Sequence, residues 1–75
     1  DVITLRTTLT KGTIFNTHYH DCIEKLIVYS GKLINKTTGK ILERGKMSVF
    51  RKGVSHKLEA LEDTVCYVEF ENPHI

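Results

Sequence analysis

The chain has no tryptophan, one proline, one methionine and only two cysteines in 75 residues. Cys22 and Cys66 form no CxxC pair, so neither a disulfide framework nor a cysteine-rich zinc module is available. Both read as free thiols in a reducing compartment, the cytoplasm. No apolar run is longer than four residues, as in Leu26-Ile27-Val28-Tyr29, which is far short of a membrane-spanning helix. The charge excess is small, +2 with a pI near 8.6, too weak to argue for nucleic acid as a partner. Repeats, low-complexity tracts and linkers are absent. No signal peptide is visible, although a start without methionine does not settle targeting.

What remains is one domain over residues 1–75. A chain of this size buries only about 60% of its unfolded surface and is marginal alone. A metal ion or a second copy is the usual support.

Little in the sequence is helical. Val2 to Thr10 is rich in β-branched residues and stops at Lys11-Gly12, which reads as a strand or two. Strands follow over Thr13 to His20 and Glu24 to Ser30, the latter closed by Gly31. Lys32 to Lys36 and Lys40 to Glu43 flank Thr37-Thr38-Gly39 as a hairpin. Met47 to Phe50, Val54 to Leu61 and Thr64 to Glu71 complete the set, and Asn72-Pro73 ends it. Seven or eight short strands with frequent turn signals predict an all-β sandwich or barrel.

The strongest signal is a spaced string: Gly12, five residues, His18, one, His20, three, Glu24, six, Gly31. Two histidines two apart on a strand point the same way. Glu24 follows a short Asp21-Cys22-Ile23 segment and can reach the same place. A further imidazole, His56, comes later. Three imidazoles and a carboxylate are a donor set for a divalent transition metal such as Mn, Fe, Ni or Zn. His-x-His by itself is usually a surface or hydrogen-bonded pair; the whole string is what carries the reading. Cys22, inside the string, reads as a half-buried thiol more readily than as an extra ligand.

This string resembles the first signature of the cupin family, G-x5-H-x-H-x3,4-E-x6-G. The family's second signature, G-x5-P-x-G-x2-H-x3-N, is met in register by Gly45, Gly53 and His56, with Arg51 in place of proline and Ala60 in place of asparagine. The resemblance implies a double-stranded β-helix, a jelly-roll barrel with a metal at its mouth held by His18, His20, Glu24 and His56. It also implies a homodimer, since many cupins are dimers. The residues agree: Glu24, Leu26 and Val28 share one face of their strand, and Lys25, Ile27 and Tyr29 the other. The face with the ligand is the interior, so Ile27 and Tyr29 point outward, where a partner would cover them.

Fold does not fix chemistry. The expected role is a small metalloprotein that binds a divalent ion and a small molecule, an anionic one being the case the basic cluster below would suit. One alternative is a metal-dependent enzyme of dioxygenase or isomerase type, because four protein ligands leave open positions on a six-coordinate ion. Another is a structural or partner-binding module with a vestigial site. No second catalytic constellation stands out. Tyr19, between two ligands, should point away from them, and the face of Tyr67 is undetermined. Candidate ligand-binding residues are Arg51, Lys52 and Tyr67. Arg44, Lys46, Arg51, Lys52 and Lys57 crowd the segment that carries His56, and a guanidinium suits carboxylate or phosphate. The plainer reading of that cluster is a solvated basic edge.

Overall fold

Alternation of apolar and polar residues drives the architecture. In the computed structural model, which describes residues 2–17, 23–51 and 53–71, the strand Thr64–Glu71 buries Thr64, Cys66, Val68 and Phe70 and turns the residues between them outward. The described residues form eight strands: β1 (Val2–Leu9), β2 (Ile14–Thr17), β3 (Ile23–Ser30), β4 (Lys32–Asn35), β5 (Ile41–Glu43), β6 (Met47–Phe50), β7 (His56–Ala60) and β8 (Thr64–Glu71). They make two four-stranded antiparallel sheets, ordered β1-β8-β3-β6 and β2-β7-β4-β5. The inner faces close on one core that includes Leu26, Val28, Leu33, Leu42, Leu58 and Cys66, all nearly free of solvent contact. Each buried leucine is worth roughly 1.5–3 kcal/mol relative to exposure. The all-β jelly-roll expectation is met. The described residues contain no helix, hence none long and apolar enough to cross a membrane.

Most described boundaries lie within one residue of the sequence reading, and two strand starts are set by local hydrogen bonding. The strand expected from Val54 starts at His56, because the Val54 N–H closes a turn onto the Arg51 carbonyl at 3.2 Å. Gly53 supplies the positive φ of 72° that this turn needs. The strand expected from Thr13 starts at Ile14, although the pairing with β7 continues outward: Ala60 N–H donates to the Thr13 carbonyl and Gly12 N–H to the Ala60 carbonyl. The end of that expected strand, residues 18–20, and the Asn72-Pro73 stop lie outside the described residues.

One corner ties the two sheets together. The β3–β4 connection is the single residue Gly31, with φ of 92°. It lies so close to the start of β8 that a Cβ there would collide with the Asp63 carbonyl oxygen and the Thr64 side chain. Thr64, only 1% exposed, accepts a hydrogen bond from Lys32 N–H at 3.1 Å, and its hydroxyl reaches the Glu62 carbonyl at 2.8 Å. Beside it, the Asp63 carboxylate accepts from Lys11 N–H at 2.9 Å.

Candidate metal centre

Glu24 is the second residue of β3 and shares its inner face with Leu26 and Val28, as the sequence indicates. In the ladders it lies opposite Phe50 of β6 and Phe70 of β8. The side chain is 4% exposed, and no described residue donates a hydrogen bond to its carboxyl group. Burial pushes its pKa from the usual carboxylate range up to about 7, because a charge removed from water without a partner is costly. Glu24 lines a cavity of about 170 Å³ together with the apolar Phe15, Leu26 and Phe70 and the polar Thr7 and Asn16. Cys66 is buried on the inner face of β8, and it is a free thiol. Burial and then the charge of Glu24 push its pKa up to about 11, so this thiol stays protonated and unreactive.

His56 opens β7 on the same face as the buried Leu58 and Ala60. Its ring packs on Phe50 at a centroid distance of 4.9 Å and a tilt of 53°. Phe50 therefore touches His56 through its ring and neighbours Glu24 through its backbone. His56 also pairs across the ladder with Thr17, the residue before His18. Its Nδ1 lies 2.9 Å from the Asn35 side-chain nitrogen.

Of the four expected ligands, the structure describes Glu24 and His56 and gives both to the barrel interior. His18 and His20 lie outside the described residues, as do Tyr19, Cys22 and Lys52. Among the described residues no cluster of three or more His, Cys, Asp or Glu side chains is present. Arg51 is exposed, one residue past Phe50. Tyr67 stands on the outer face of its sheet, edge-on to Tyr29 at 6.0 Å, away from Glu24 and the cavity. Sequence reading did not single out Asn35, Thr7 or Asn16. Asn35 carried only a turn cue, the Asn-x-Thr-Thr-Gly run, with nothing to link it to a histidine 21 residues later.

No sequence-family model matches the chain, and no curated protein matches it. Solved structures do. The cupin-2 domain of an XRE-family transcriptional regulator from Enterobacter cloacae superposes with a TM-score of 0.80 at 19% identity, over 97% of this chain and 83% of that one. The chain is a cupin by fold. A cupin-2 domain containing protein from Shewanella frigidimarina superposes with a TM-score of 0.79 at 25% identity, over 99% of this chain and 72% of that one.

The cupin fold commonly holds a metal, and the two described candidate residues differ in how they suit one. Glu24 fits: it is a buried carboxyl beside a cavity and accepts no hydrogen bond from another described residue, so a cation would offset the cost of its burial. His56 is on the same inner face as Leu58 and Ala60, and its Nδ1 lies within hydrogen-bond distance of the Asn35 carboxamide.

Proposed function

We propose that this cupin binds one divalent transition metal ion and, beside it, a small anionic molecule. The supporting observation is Glu24, a carboxyl 4% exposed inside the barrel with a pKa raised to about 7 and no donor among the described residues. Such a group is poised to exchange its proton for a cation. His18, His20 and His56 would complete the donor set, in keeping with the spacing of the string. The ion would supply positive charge at the mouth, while Arg51 would offer a guanidinium to the far end of a carboxylate or phosphate. Chelated protein, refilled in turn with Mn, Fe, Ni and Zn, should retain one ion per chain by elemental analysis. Arg51→Gln should leave that content unchanged and weaken small anions by roughly 1.5–3 kcal/mol. No retained ion in any refill would refute the metal reading, and unchanged anion affinity would refute the role of Arg51.

The partner in this reading is a second copy of the chain. The outer face of the β1-β8-β3-β6 sheet exposes Ile27, Tyr29, Met47 and Val49 side by side, at 38–59% exposure. Both charge signs surround this patch: Lys25 is 3.8 Å from Glu71, and Arg6 and Glu69 flank Tyr67 on the same face. A patch with an apolar centre and a rim of mixed sign complements itself under a twofold axis. A stable dimer on it would bury about 1,200–2,000 Å² in total. Light scattering at tens of micromolar should give twice the chain mass, and Tyr29→Lys should return it to one. A soluble wild-type monomer at that concentration would contradict the dimer.

A further inference from the structure

Asn35 is the last residue of β4 and is 4% exposed. It lies directly across the ladder from Leu58, so His56, two residues before Leu58 on the same face, is its diagonal neighbour. Its side chain faces two groups at once. The carboxamide oxygen lies 3.0 Å from Thr37 N and 3.3 Å from Thr38 N, in the β4–β5 turn. The carboxamide nitrogen lies 2.9 Å from His56 Nδ1.

The chemistry of these atoms orients the amide. A backbone N–H can only donate, so the atom facing Thr37 and Thr38 must be the acceptor, Oδ1. The NH₂ group is thereby left for His56, and an NH₂ group can only donate. Nδ1 must therefore present its lone pair. A neutral imidazole carries a single N–H, which then sits on Nε2. In this arrangement neither ring nitrogen offers a free lone pair: Nδ1 accepts from Asn35, and Nε2 bears the proton.

We infer that Asn35 is a positioning residue that fixes His56 in the Nε2–H form, and that capture of an ion by His56 Nε2 requires the Asn35 carboxamide to turn over. A ligating Nε2 leaves the proton on Nδ1, and an Nδ1–H needs an acceptor where the NH₂ group now stands. Turning the amide supplies that acceptor and strips the Thr37 and Thr38 N–H groups of theirs. The turn is also bound to the strand of His56, since Thr37 Oγ1 accepts from Lys57 N–H at 3.0 Å and Lys36 N–H donates to the Lys57 carbonyl at 2.7 Å. Ion binding and order in the β4–β5 turn therefore oppose each other, and the coupling works equally in both directions. The ion-capture half of this inference rests on the metal reading above; the half concerning the proton does not.

Long-range proton–nitrogen NMR of the imidazole rings tests both halves, on metal-free and zinc-loaded full-length protein at about pH 8.5, well above the ordinary histidine pKa of about 6.5. Metal-free wild type should show His56 with its proton on Nε2. Asn35→Asp keeps an acceptor for the turn and places a second one against Nδ1, so the proton should move to Nδ1. Zinc should then bind Asn35→Asp about tenfold or more tightly than wild type, the scale on which hydrogen-bond partners of metal ligands act. In wild type alone, zinc should shift and deprotect the Thr37 and Thr38 amides. A wild-type ring with its proton on Nδ1 would overturn the inference without any variant. So would zinc affinity that Asn35→Asp does not raise, or turn amides indifferent to zinc. If neither protein binds zinc while the ring protons sit as expected, the metal reading and the coupling fail, and the positioning role of Asn35 stands.

Discussion

Gly31→Ala should cost the barrel roughly 2–5 kcal/mol, the sum of a left-handed backbone at about 1–2 kcal/mol and overpacking at about 1–3 kcal/mol. The total stability of 75 residues is only about 4–11 kcal/mol, so the variant should lie near its folding threshold at 37 °C. Gly31 has a φ of 92°, and the new methyl group would meet the Asp63 carbonyl oxygen and Thr64, both fixed where the sheets join. Gly39→Ala is the matched control. Its φ is 79°, yet no atom lies within 4 Å of the added Cβ. It carries the backbone cost alone. Urea denaturation of both variants should separate them by about 1–3 kcal/mol. Equal losses would show that the corner can yield to the methyl group and that close approach is not why glycine is needed there.

The second large effect is in the pH dependence of the metal-free protein. Burial raises Glu24 from an ordinary value of 4.5 to about 7 in the folded state. Between these values the native chain holds a proton that the unfolded chain releases, so stability falls as pH rises. The contribution is fully present below about pH 4.5, declines through about pH 7 and is flat above. At 1.36 kcal/mol per unit it amounts to about 3 kcal/mol. Glu24→Gln keeps a neutral group of the same shape and should lack this slope. The difference in unfolding free energy between chelated wild type and Glu24→Gln isolates the group from every other titration. A difference that does not change between pH 4.5 and 8 would mean that Glu24 ionises freely in the fold.

The strands were legible because their periodicity is local. Alternation on β3 was enough to put Glu24, Leu26 and Val28 inside and Ile27 and Tyr29 outside, and β6 and β8 have the expected bounds. The candidate site was legible in part. Glu24 and His56 belong to the interior, whereas His18 and His20 lie outside the described residues. What escaped reading depends on pairing between distant segments. Asn35 meets His56 only because β4 lies beside β7, and Cys66 feels Glu24 only because β8 lies beside β3. The face of Tyr67 follows from the alternation of β8, once Cys66 and Val68 are known to point inward. The late start of β7 follows from the turn hydrogen bond at Val54, which competes with strand pairing.

X-ray absorption at the metal edge of the loaded protein reads the proposed donor set atom by atom. About three imidazole nitrogens and a carboxylate oxygen should surround the ion at roughly 2.0–2.2 Å, with one imidazole lost in His56→Ala and one oxygen ligand replaced in Glu24→Gln. An ion surrounded by water oxygen alone, with a spectrum unchanged by either substitution, would contradict it.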